Sequence, residues 1–251
     1  MTNSLRDAIR ARPSSALIVW LPALAGWVLL YWGATHMDSA ATQLTMPMSD
    51  WSAANVIAVF IMWTVMMAAM MLPAATPMVS VFATLNERRG EAGRTVAFVA
   101  GYVALWAAFG AAGAAAQWAL QAWGLLSPMI VSMSPALTGA LLVIAGVFQF
   151  TPLKHACLRA CRSPLGFLLT DWRDGLWGAV HMGVRHGLYC LGCCWALMAL
   201  LFVGGVMNLM WIAALTLLVA MEKLAPKGDT LAKALGVLMI GVGAARLIWR
   251  P

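Results

Sequence analysis

The sequence predicts an all-α fold, a polytopic bundle of about seven transmembrane helices, with six as the alternative number. Two observations predict this class: 63% of the 251 residues are hydrophobic, and only 10% are charged. A chain with so few polar side chains cannot cover a water-soluble fold. We therefore expect one integral membrane domain over residues 1–251, with the lipid bilayer as a partner.

Each expected helix is an apolar run that is long enough, or nearly so, to cross a bilayer. In chain order the runs cover residues 15–34, 54–82, 95–121, 134–151, 187–206, 208–223 and 230–249. No cleavage site of small residues follows the first run, so we expect it to remain in the protein as a helix. The segment "LGFLLTDWRDGLWGAVHM" is charged at its middle and predicts a short interfacial helix near 165–184.

The Lys and Arg residues indicate the orientation, because basic loops are retained in the cytoplasm. Nearly all of the 16 fall in the N-terminal segment or in loops on the same side as that segment, and only Arg246 and Arg250 lie opposite. The N-terminus is therefore expected in the cytoplasm and the protein in the cytoplasmic (inner) membrane of a bacterium. A last helix that does not fully cross would return both arginines to the cytoplasm. The net charge of +7 suits anionic lipid headgroups and requires no nucleic acid.

The segment "RHGLYCLGCCWALM", residues 185–198, contains three of the five cysteines. Helical geometry places His186, Cys190, Cys193 and Cys194 on one face. Cysteine is also a common small packing residue in helices. Three cysteines within five residues, one turn after a histidine, favour a metal site over packing.

A second group of soft ligands lies in "LKHACLRACRSP", where His155 precedes Cys157 and Cys161. The two cysteines do not have a zinc-knuckle spacing, so a ligand role and two unrelated thiols remain equal alternatives. The predicted topology brings all five cysteines to the cytoplasmic face of the bundle. Thiolates and imidazoles together suit a soft ion, first Cu(I) and then Zn(II).

Methionines and one carboxylate are further candidates for the same site. In "FIMWTVMMAAMMLPAATPM", Met66 and Met70 lie one turn apart on the second helix, where they serve as weak metal ligands or as adaptable packing. In "AMEKLAP", Glu222 forms either an ion pair with Lys223 or, if it faces the bundle, a functional carboxylate. The external loop "THMDSAATQLTMPMSDW" contains His and Met but no Lys or Arg, and could receive Cu(I) or be an ordinary turn.

Four of these segments resemble a bacterial domain-of-unknown-function family described as predicted metal-binding integral membrane proteins. The segments are "MMAAMMLPAATPM", "PLKHACLRACRSPLGFLL", "GVRHGLYCLGCCWALM" and "GGVMNLMWIAALTLLVAMEKLAP". The resemblance covers most of the chain, from the second helix onward. It implies a metal site built from these Cys, His and Met residues, and it implies no substrate.

Three functions remain open at this point. The first is a membrane protein that binds a soft metal, copper before zinc, and carries or delivers it across or at the cytoplasmic membrane. A periplasmic metal chaperone or a metalloprotein is a candidate partner for this function. The second is a thiol-disulfide oxidoreductase that uses Cys190, Cys193 and Cys194. The third is a non-catalytic assembly subunit for a metalloprotein. No catalytic residue is assigned, and the phosphate-binding pattern G-x-x-x-x-G-K-[ST] is absent, so any transport would be downhill or driven by another gradient.

Overall fold

The computed structural model describes residues 13–47, 51–91 and 93–249, without the side chains of residues 13–15 and 88. In the described residues the regular structure is helical, and one isolated bridge joins Leu126 to Ser132. This confirms the all-α bundle. The helices are α1 (Pro13–Thr35), α2 (Ala40–Leu44), α3 (Ala53–Arg88), α4 (Gly93–Ala122), α5 (Pro135–Phe148), α6 (Pro152–Cys161), α7 (Pro164–Asp171), α8 (Gly175–Ala199), α9 (Leu201–Gly204), α10 (Leu209–Leu224) and α11 (Gly228–Ile248).

Five segments of the described chain are long and apolar enough to cross a membrane, which marks the chain as a membrane protein. They are Ala16–Thr35, Ala53–Glu87, Gly93–Ala122, Gly175–Gly204 and Gly228–Ile248. Helices α5 and α6 meet at a bend of 66° and would together add a sixth span. The described structure therefore contains five or six candidate spans rather than seven.

Two of the predicted spans are helices that are shorter than the hydrocarbon core of a bilayer is thick. Helix α5 has 14 residues and α10 has 16. At 1.5 Å per residue these helices are about 21 and 24 Å long, whereas the hydrocarbon core is about 30 Å thick. Arg6, Arg10, Arg12 and Arg250, which contribute to the predicted orientation, lie outside the described residues, as do Met48 and Asp50 of the external loop.

Where one short helix is predicted near 165–184, the structure has α7 followed by the first residues of α8. Helix α7 ends at Asp171, and α8 begins at Gly175, twelve residues before the predicted start at 187. The reason is tertiary packing, which hydropathy does not detect. A Cβ atom on Gly101 of α4 would overlap the backbone of Val180, and one on Gly183 of α8 would overlap the backbone of Phe98. Small residues thus allow α4 and α8 to pack backbone to backbone, and the contact extends α8 toward its N-terminus.

Candidate metal centre

The sulfur of Cys190 lies at the centre of the candidate site, inside the bundle. The Nζ atom of Lys223, on α10, donates a hydrogen bond of 2.8 Å to this sulfur. The hydroxyl of Tyr102, on α4, lies 2.9 Å from the same sulfur and 3.1 Å from the carbonyl oxygen of Met71 on α3. Cys190 and Tyr102 are only 2% and 1% exposed. Four helices therefore converge on one cysteine.

The contact with Lys223 determines the charge of the site. Lys223 is 7% exposed, and a buried ammonium group requires a negative partner. Its neighbour Glu222 already accepts hydrogen bonds from Lys154 at 2.6 Å and from Gln149 at 2.8 Å. A thiolate at Cys190 would supply the compensating charge for Lys223 through this hydrogen bond.

Three further thiols surround Cys190, and we call the four together the thiol cluster: Cys161, Cys190, Cys193 and Cys194. The side chain of Cys161, on α6, lies close enough to those of Cys190 and Cys193 to interact with them electrostatically. The thiols of Cys193 and Cys194 each donate to the carbonyl oxygen of Cys190 at 3.0 Å. All are free cysteines. The cluster therefore combines three cysteines of α8 with one from a second helix.

Cys157 lies beside the cluster and is not one of its members. It lies one helical turn before Cys161 on α6, and its sulfur would be 2.6 Å from a Cβ atom placed on Gly192. The absence of a side chain at Gly192 therefore lets α6 pack closely against α8. This contact brings Cys161 to the cluster and leaves Cys157 as a packing partner.

His186 lies one turn before Cys190 and has a nitrogen atom without a partner. Its ring is 3% exposed and packs among the rings of Phe98, Tyr102 and Phe167, with centroids 6.0, 5.9 and 5.5 Å away. Within the described residues, Nδ1 of His186 accepts or donates no hydrogen bond. Buried polar atoms are nearly always satisfied. An unpaired imidazole nitrogen beside a thiol cluster is therefore a candidate metal ligand.

Four other residues predicted for the site lie outside the thiol cluster. Glu222 is 1% exposed and faces the bundle, which is the orientation that the alternative of a functional carboxylate requires. Its carboxylate accepts hydrogen bonds from Lys154 and Gln149 and not from Lys223. Nδ1 of His155 lies 3.8 Å from a carboxylate oxygen of Asp229. Met66 and Met70 are fully buried on α3.

The thiols of the cluster are not directed at one common position that an ion could occupy. Among the described residues, no group of three or more His, Cys, Asp or Glu side chains has the arrangement of a metal site. The hydrogen bonds of Cys193 and Cys194 give the reason, because both thiols are directed at a backbone carbonyl of their own helix. Soft sulfur donors nevertheless match Cu(I), which needs only two or three of them. A rotation of one cysteine side chain could complete such a set.

These features define a polytopic helical membrane protein with a largely buried thiol cluster that accepts a hydrogen bond from a buried lysine. A family model described as PpoB2, copper chaperone, matches residues 60–246, and the chain belongs to this family. The match extends from α3 into α11 and includes every residue of the thiol cluster. No curated protein and no solved structure matches the chain. The metal-related family expected from the sequence is confirmed at this level, and the metal of that family is copper.

Proposed function

We propose that the protein binds Cu(I) as cargo at the thiol cluster and transfers it to a partner protein at the bacterial cytoplasmic membrane. One observation carries the proposal: the sulfur of Cys190 receives a hydrogen bond of 2.8 Å from a buried lysine and lies among three other thiols. The family to which the chain belongs supplies the metal, since it is described as a copper chaperone.

Charge balance explains how a monovalent ion fits this buried position. Without metal, the Lys223 ammonium and the Cys190 thiolate neutralise each other. When Cu(I) binds between Cys190 and a second thiol, that thiol loses its proton. The ion, the two thiolates and the ammonium again sum to zero. Because net charge is costly inside a helix bundle, we infer that one Cu(I) exchanges for one proton.

The second sulfur is assigned to Cys161 in this proposal. It belongs to α6, so a Cu(I) ion held between Cys161 and Cys190 would link two helices, and a movement of α6 would open the site. The ion pair between Lys154 and Glu222 anchors the same helix to α10. Glu222 then has a positioning role, and His186 offers a third ligand through its unpaired nitrogen.

Cu(I) is favoured over Zn(II) by the number of ligands as well as by the family. Structural Zn(II) sites are tetrahedral and use four ligands, whereas no three ligands are prearranged among the described residues. Two sulfurs suffice for Cu(I). Transfer then proceeds by ligand exchange with a partner such as a periplasmic metal chaperone or a metalloprotein, without ATP.

Metal analysis of protein purified anaerobically in detergent tests the proposal. Wild type should retain about one Cu(I) per chain against a moderate colorimetric Cu(I) chelator, and the Cys161→Ser/Cys190→Ser variant should lose it. Cys157→Ser is the matched control, because it removes a thiol from the neighbouring turn of α6 but not from the cluster. Unchanged Cu(I) affinity in the double variant would contradict the proposal. Zinc at one equivalent in place of copper would also overturn it.

A further inference from the structure

We propose that Cu(I) reaches the thiol cluster from the opposite end of the bundle, through an apolar cavity and along a column of methionine sulfurs on α3. This inference rests on the proposed function, because it concerns the loading of the same cluster. It assigns a role to a cavity and to methionines that the thiol site does not use.

The cavity has a volume of about 350 Å³ and lies between α1, α2, α3 and the start of α10. Its walls are mainly aliphatic, and two sulfur-bearing side chains reach it, Met62 from α3 and Met207 from the loop before α10. Trp32 also lines the cavity, and the ring of His36 stacks on Trp32 at 5.2 Å. Thioether sulfurs from two separate elements therefore line the cavity, and the imidazole of His36 stacks on another of its lining residues.

Three methionines continue from the cavity into the bundle. Met62, Met66 and Met70 are four residues apart on α3, so their side chains follow one another along one face, about 6 Å apart per step. Met62 is half-buried, whereas Met66 and Met70 are 0% and 1% exposed. The column thus begins at the cavity and proceeds to fully buried positions.

Two contacts link α3 to the α8–α9 segment, and they show which residues of α8 lie level with the inner end of the methionine column. The rings of Trp63 and Phe202 are 5.4 Å apart, and Tyr102 joins the backbone of Met71 to the sulfur of Cys190. Residue numbers rise along α3 as they fall along α8, so the two segments run antiparallel. With equal rise per residue, the first contact places Met70 level with Trp195 and the second places it level with Leu191, so Met70 lies in the range of depth that contains Cys193 and Cys194.

The same two contacts give a range of depth for the middle of the column. Met66 lies between the levels of Trp195 and Ala199, a range that contains the buried Met198. We infer that Met70 is the methionine of the column from which the ion passes to the thiol cluster. Sulfur atoms are therefore available at each turn between the cavity and the cluster, about 12 Å along α3 from Met62 to Met70.

The chemistry of the column suits movement rather than storage. A thioether is a neutral and soft ligand, so it accepts Cu(I) without releasing a proton and holds it less firmly than a thiolate does. The thiolate at the end of the column supplies the stronger binding. An ion that enters at Met62 would therefore move between equivalent thioethers and then to the stronger thiolate at the inner end.

Loading kinetics in oriented vesicles test this route. Protein is reconstituted anaerobically with the cavity end facing outward, and a coloured Cu(I)–chelator complex is added outside. The Met62→Leu/Met66→Leu/Met70→Leu variant should load the cluster at least tenfold more slowly than wild type. Its equilibrium Kd for Cu(I) should be unchanged, because leucine conserves the volume and the thiols remain.

A control variant lies on the same helix. Met67 and Met78 are equally buried on a different face of α3, and their replacement by leucine should leave the loading rate unchanged. Loading of the column variant at the wild-type rate would overturn the route while the thiol site stands. Thiols that bind no Cu(I) even at equilibrium would overturn the proposed function itself. A thermal melt of each variant, equal to that of wild type, shows that folding does not explain a slow rate.

Discussion

Replacement of Lys223 by methionine tests the charge balance of the site directly. Methionine keeps most of the side-chain volume and removes the ammonium group that lies 2.8 Å from the sulfur of Cys190. In the metal-free variant the cysteine takes up a proton and becomes neutral, so we expect the protein to fold. The consequence appears only when Cu(I) binds, because two thiolates and one Cu(I) then leave an uncompensated negative charge in the bundle.

The size of the effect follows from the geometry. At an effective dielectric constant of about 20, unit charges 2.8 Å apart interact by about 6 kcal/mol. Part of this is offset, because the variant no longer buries an ammonium group. Breaking one partner of a buried ion pair commonly costs about 3–5 kcal/mol. Cu(I) binding should therefore weaken by about two to three and a half powers of ten.

Competition with a chelator of known affinity, repeated across a range of pH, measures this prediction. In wild type one proton leaves per Cu(I), so Kd should fall about tenfold for each unit of pH. In Lys223→Met two protons leave, and the dependence should steepen to about a hundredfold per unit. Lys233→Met is the control, since it removes an exposed charge from α11. An unchanged Kd and pH slope in Lys223→Met would refute the charge argument.

Three further changes test the packing and the ligand set. Gly183→Ala should lower the melting temperature, because the added Cβ would overlap the backbone of α4, whereas Gly241→Ala, with nothing within 4 Å, should not lower it. Lys154→Met leaves the carboxylate of Glu222 buried and unpaired, which should cost about 3–5 kcal/mol in thermal or denaturant unfolding. Adding Glu222→Gln should recover part of that loss, and no recovery would argue against the ion pair. His186→Phe fits the surrounding aromatic rings and should weaken Cu(I) binding severalfold at unchanged melting temperature; equal binding would remove this histidine from the ligand set.

The part of the site that lies on a single helix is predictable from the sequence. The spacing of Cys190, Cys193 and Cys194 after His186 requires only helical geometry, and the structure places all four in the interior near one another. The sequence leaves the role of Cys161 open, because its contact with α8 depends on the packing of α6. That packing requires a glycine at position 192, and this requirement can be recognised only when the helix that packs against Gly192 is known.

Lys223 was missed as a partner of the thiols because it follows Glu222 in the chain. Adjacent charges suggest an ion pair, but consecutive residues on a helix are about 100° apart and do not face each other. The structure shows the result: Glu222 contacts Lys154, and Lys223 contacts Cys190. The helical rule alone excludes the adjacent pair. The identity of each new partner depends on which helices surround α10, and local sequence does not specify it.

The position of the cluster along α8 bears on how copper would leave it. Arg185 precedes Cys190 by five residues, about 7.5 Å of helix, and pairs with Asp171 at 2.9 Å. The cluster therefore lies a short way inside a charged end of the bundle, whereas the cavity lies at the other end. Under the proposed exchange, release requires a proton for the departing thiolate and a ligand for the ion. Because the exchange of Cu(I) for a proton leaves the net charge of the loaded cluster unchanged, the direction of transfer is set by proton supply and by the acceptor at each end.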